Sequence, residues 1–180
     1  MDKSYVENAY QNGIFTLPIQ IKPITIQEFK ETFLNTNIVA YGFAGSFPSM
    51  RTFKSANGFL LYFDNQKVVE FCSLKTMVKD SWDEYGSLKM EVHNDPSTIK
   101  QGLMPIERFE IEPIRVNFIK KLVFQNEAMY IDCGIIFSKD DVNEISIAAG
   151  FSTDVTIRTP FSSEDFDTDI AEEKYTFYPL

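Results

Sequence analysis

From residue 19 onward the chain switches between two hydrophobic periods, and each switch marks an element. Ile19 and Ile21 stand at two-residue spacing between polar neighbours. Thr25 and Glu28 then form an S/T-x-x-E pattern, which satisfies free N–H groups at a helix start. Ile26, Phe29 and Phe33 follow at helical spacing. The pattern predicts a helix over about 26–35 with one apolar stripe for the core. Residues 38–43 read as a buried strand, and the Gly, Ser and Pro of 45–49 as a loop. Residues 59–63 and 68–72 are two β-rich runs joined by Asp64, Asn65, Gln66 and Lys67, which predicts a hairpin.

Leu74, Met77, Val78, Trp82 and Tyr85 fall on one helical face, with Gly86 where a C-terminal cap would sit. These residues predict a second helix. Leu88, Met90 and Val92 alternate with Lys89, Glu91 and His93, as in a half-buried strand, which Asn94, Asp95 and Pro96 terminate. The stretch 97–107 holds Gly102 and Pro105 and reads as irregular. The C-terminal half alternates most cleanly. Ile114, Val116, Phe118, Leu122 and Phe124 share one parity, as do Met129, Ile131, Cys133, Ile135 and Phe137; Ile145, Ile147 and Ala149, then Val155 and Ile157, continue the pattern. These runs predict an antiparallel meander. Its register sets Phe124 opposite Met129, Leu122 opposite Ile131 and Lys121 opposite Asp132, so that apolar meets apolar and charge meets charge. Arg115, Lys121, Asp132, Glu144 and Arg158 then share an exposed face suited to cross-strand salt bridges. The fold class expected is α+β: a single domain over 1–180, predominantly antiparallel β-sheet with a C-terminal meander and two short amphipathic helices packed on one face.

A chain of 180 residues can bury roughly 70% of its unfolded surface, and 17 Phe and 8 Tyr supply the core for it. The apolar run 59–63 falls far short of the ~20 residues that span a bilayer, and the first eight residues lack the basic-then-apolar pattern of a secretory leader. The expected location is the cytoplasm. Cys72 and Cys133 are accordingly expected as unpaired thiols in a reducing compartment. The net charge of −9 argues against nucleic acid and anionic membranes as partners and favours a basic protein.

Candidate chemistry is sparse. His93 is the single histidine, which removes multi-His metal sites and leaves one candidate base for a Ser or Cys nucleophile. At a strand end it reads most simply as a surface residue. The chain contains no G-x-S-x-G, G-x-G-x-x-G or P-loop pattern. Asp165, Asp167 and Asp169 match the opening ligand positions of a calcium loop, but Ile170 stands where its turn requires Gly, and Thr176 where a bidentate Glu should close the cage. No metal and no cofactor are expected. Carboxylates such as Asp80, Asp83, Glu84, Asp132 and Glu144 are plentiful, yet acid–base catalysis needs two of them at a defined separation across a cleft.

The strand pattern of residues 132–137, 144–150 and 155–157 resembles that of small acidic bacterial proteins, some of them immunity proteins encoded beside secreted toxins. Together with the charge and the lack of a catalytic motif, this resemblance implies a non-enzymatic protein that neutralises a basic toxin domain, such as one from a contact-dependent growth inhibition system, by blocking its active site. The alternatives are a small-ligand or scaffold-binding domain, and a carboxylate-based enzyme on an unrecognised fold. Residues 151–180 carry seven acids and two bases, over half of the net charge in one sixth of the chain. Asp165, Asp167, Asp169, Glu172 and Glu173 are therefore the expected contact surface, with Asp132 and Glu144 on the meander as a second one.

Overall fold

The computed structural model describes residues 10–43, 53, 58–77, 84–99, 106–140, 144–149, 154–162, 166, 168 and 170–180. The expected helix is present as α1 (Ile26–Phe33), started by the full capping box: the Glu28 N–H donates to the Thr25 hydroxyl and the Thr25 N–H to the Glu28 carboxylate. That exchange holds the Glu28 carboxyl below its ordinary pKa. The buried face of α1 presents Phe29 and Phe33.

All other long elements are strands. They are β1 (Tyr10–Gln11), β2 (Ile14–Leu17), β3 (Gln20–Lys22), β4 (Asn37–Phe43), β5 (Phe59–Phe63), β6 (Val68–Met77), β7 (Glu84–His93), β8 (Glu107–Arg115), β9 (Phe118–Gln125), β10 (Met129–Ser138), β11 (Glu144–Ala149), β12 (Val155–Arg158) and β13 (Tyr175–Pro179). They form two sheets. One has the order β3-β7-β6-β5-β4-β8; the other is built around β10, which pairs with β2, β9 and β11, with β1, β13 and β12 beyond them. β10 and β11 lie over β6 and β7, and the side chains between the sheets form the main core, which includes Phe59, Phe71, Leu88, Met90, Ile135, Phe137 and Ile147. Helix α1 joins the two layers: Phe29 reaches Phe137 at 6.3 Å between ring centroids, and Phe33 reaches Phe63 at 4.5 Å.

This architecture corrects the expected fold class in three respects. The second helix does not form, because β6 and β7 pair along their whole length, from Val68 opposite His93 to Met77 opposite Glu84. Residues 78–83 lie outside the described set. Valines, phenylalanine and threonine favour this ladder, and a partner strand on either side rewards period 2 over the helical spacing of Leu74 and Met77. Secondly, the sheets are mixed, since β2 runs parallel to β10 and β3 parallel to β7. The N-terminal segment thus adds one parallel strand to each layer as it crosses between them.

The third correction concerns register. Phe124 pairs with Ile131 and Val123 with Asp132, two positions from the expected match, and a β-bulge at Cys133 then shifts the ladder so that Gly134 meets Leu122 and Ile135 meets Lys121. An extra residue in one strand turns every later side chain to the other face. Ile131 and Cys133 accordingly belong to a second apolar cluster with Phe15, Leu17, Leu122 and Tyr175, while Ile135 and Phe137, of the same parity, enter the main core. Residues 131–138 are buried throughout.

Gly134 is held by crowding. An added Cβ would lie against the Ile147 carbonyl oxygen and 2.8 Å from Leu122 Cδ1. We predict that Gly134→Ala costs about 2 kcal/mol in urea unfolding, as overpacking does. Gly13, at φ +83° with nothing within 4 Å, provides the control: Gly13→Ala should cost about 1 kcal/mol from backbone conformation alone. Equal losses at the two sites would contradict the packing argument.

Candidate functional site

The bulge places Asp132 on the same face as Lys121 and Ile135, not on a solvated surface. Asp132 is 2% exposed; its carboxylate accepts from Lys121 Nζ at 2.8 Å and from the Ile19 N–H at 3.0 Å, where the chain passes from β2 to β3. Lys121 also donates to the Tyr130 hydroxyl at 3.2 Å. Burial pushes the Lys121 pKa down, but the hydrogen bonds and charges of Asp132 and Tyr130 outweigh it and leave a net rise above 10.5. This pair ties the crossover to the sheet, and Asp132 is not available to a partner. Nor do the five expected charges share a face: the register sets Arg158 beside Ser146, away from the core residues Ile147 and Ile157. The Glu144 backbone pairs with Ser138.

Of the C-terminal acids, Asp165, Asp167 and Asp169 lie outside the described residues. Glu172 accepts from Arg158 at 2.6 Å, and the Arg158 guanidinium in turn covers the Phe166 ring at 4.9 Å. Glu173 is exposed. The segment is more than a solvated tail, because Phe166, Ile170 and Tyr175 pack on the second cluster and Thr168 is buried.

His93 is buried, contrary to expectation. Its Nε2 lies 3.1 Å from Glu70 Oε2 and its Nδ1 3.3 Å from the Thr98 hydroxyl. Carboxylate, imidazole and hydroxyl thus stand in the order a nucleophile–base–carboxylate set requires. The Thr98 hydroxyl, however, donates to the Asp95 carbonyl at 2.7 Å.

A cleft of about 490 Å³ nearby is lined by Tyr62, Asp64, Lys67, Asn94, Asp95 and Arg108 among others. Its charges are engaged within the chain: Lys67 with Asn94, Asp64 with Asn37, Asp95 with the Ser97 N–H, and Arg108 with Glu110. Among the described residues no group of three or more His, Cys, Asp or Glu side chains is placed to hold a metal, and no helix is long and apolar enough to cross a membrane. Neither Cys72 nor Cys133 is in a disulfide. Burial first, then the neighbouring Glu70 charge, pushes the Cys72 thiol up to about 11. We predict that maleimide labels Cys72 in the native protein far more slowly than after unfolding, since the thiolate is the reactive form; equal rates would contradict this.

What the sequence reading missed is aromatic. Phe118 and Phe177 are 53% and 49% exposed, the highest values among the described large hydrophobic residues. β13 adds to β9 with Phe177 opposite Leu122 and Pro179 opposite Lys120, so Phe177 and Phe118 mark one face of the sheet, about four residues or roughly 13 Å apart along β9. β13 follows directly on the turn that carries Glu172 and Glu173. The alternation of Tyr175 and Phe177 after the acidic run was the available signal. The parity that assigned Phe118 to the apolar face was right for Leu122 and wrong for its own exposed end of the strand. No protein-family model, no curated protein and no solved structure matches this chain.

Proposed function

We propose that this chain is a non-enzymatic protein that binds a basic protein partner, in the manner of an immunity protein covering the active site of a toxin domain. The observation that carries this reading is the position of Phe118 and Phe177, two exposed aromatic side chains on one face of the β9–β13 pair, with the acidic turn of Glu172 and Glu173 leading into β13 at the end remote from Phe118. Aromatic anchors bordered by charge are the usual composition of a protein interface, the rings supplying burial and the charges steering approach. The internal engagement of the cleft charges and of the Thr98 hydroxyl favours binding over catalysis.

The test is capture from a lysate of the source organism on immobilised full-length protein, with quantitative mass spectrometry. The wild type should enrich a basic protein, and the Phe118→Ser/Phe177→Ser variant should lose it. Co-expression of the wild type should relieve any growth defect the captured protein causes. Equal capture by both proteins would overturn the assigned face, and a captured protein of no toxicity would overturn the immunity role.

A further inference from the structure

We infer that the edge strand β8 is the interface of a two-fold dimer of this chain, with Phe109 on the axis. The inference is independent of the proposed partner face, which lies on the other sheet. β8 pairs with β4 on one side and, among the described residues, ends the six-stranded sheet on the other, and residues 107–110 are all exposed. An exposed edge invites pairing, and proteins blunt it with charges, proline and bulges. β8 has all three, with the irregularity falling between Glu110 and Ile114, opposite Val39, and Pro113 within it. The stretch 107–110 remains regular.

The charges of that stretch admit a single symmetric partner register. A two-fold axis normal to the sheet passes between two copies of one residue, so each candidate centre fixes all pairs. Centring on Arg108 sets Arg against Arg, centring on Glu107 or Glu110 sets Glu against Glu, and centring on Ile111 sets Glu110 against Glu112. Centring on Phe109 sets Arg108 against Glu110 of the second copy, twice, and Phe109 against itself, with no like-charge pair. Directly opposed like charges are destabilising and opposed unlike charges favourable. The same charges thus reject other registers and accept this one. Arg108 and Glu110 lie 2.9 Å apart along the strand, both exposed, and the dimer register exchanges this weak pair within the chain for two across the axis. Phe109 is 40% exposed and stacks on Tyr41 at 5.0 Å between centroids, while Tyr41 stacks on Phe161 at 5.2 Å. A second Phe109 would extend this row of rings across the axis, and aromatic pairs prefer such contacts.

Sedimentation equilibrium of the full chain over a range of concentrations tests this. The wild type should be a dimer. Arg108→Glu and Glu110→Arg should each make it monomeric by opposing like charges, and the double swap Arg108→Glu/Glu110→Arg should restore the dimer. Since both residues are exposed, circular dichroism should show an unchanged fold in all three variants. A monomeric wild type, a dimer that survives both single changes, or a double swap that stays monomeric would each overturn the inference.

Discussion

Asp132→Ala should lower the unfolding free energy by about 4 kcal/mol, the loss typical of a buried ion pair deprived of one partner. The Asp132 carboxylate is almost fully buried, while Lys121 keeps 18% side-chain exposure. The change strands two donors, Lys121 Nζ and the Ile19 N–H. Asp132→Asn separates these roles, since the amide oxygen still accepts from Ile19, and it should cost less than Ala. The pair also has a signature in pH. A lysine raised in the folded state contributes stability that is fully present below its unfolded value and lost as pH rises through the folded one. The wild type should therefore lose stability above pH 10.5 more steeply than Asp132→Ala does. Urea unfolding at neutral and alkaline pH measures both effects. Parallel pH curves, or a loss below about 1 kcal/mol as for an exposed pair, would place Asp132 outside the buried network.

Phe137→Ala should cost about 4 kcal/mol, within the range for removing a fully buried phenylalanine. Phe137 is 0% exposed, and its ring stands 6.3 Å from Phe29, 5.9 Å from Phe63 and 6.1 Å from Phe71. From β10 it thus touches the helix and the facing sheet. Phe124, only partly buried where it packs against the second cluster, is the comparison: Phe124→Ala should cost clearly less. Equal losses would mean that the three-way junction does not form.

Local signals were legible and relational ones were not. The Thr25–Glu28 box and the Asp64–Lys67 connection are complete within a few residues, and both elements formed where expected. Residues 74–85 carried a helical spacing and a strand composition at once, and the ten-residue β6–β7 pairing decided between them. The parallel strands β2 and β3 are short and gain their hydrogen bonds from β10 and β7, more than 60 positions away, so the spacing of Ile19 and Ile21 marks an extended segment without announcing its partner or direction. The bulge at Cys133 hid best. Met129 to Phe137 alternate cleanly, but that alternation assumes one face, whereas residues 131–138 are buried on both. Hence Asp132, placed by parity on the surface, lies inside. The acidic segment was visible by composition, but the arginine that engages Glu172 and the aromatic residues beside it depend on pairing.

Binding kinetics with the captured basic protein test the central claim most directly. Neutralising Asp165, Asp167, Asp169 and Glu173 to Asn or Gln, while leaving Glu172 to hold Arg158, should slow association at low salt more than it speeds dissociation. Exposed charges steer encounter and are screened beyond ~8 Å at physiological ionic strength. Phe118→Ser/Phe177→Ser should act chiefly on dissociation. Rates unchanged in both variants would contradict the account and move the contact surface to another part of the molecule.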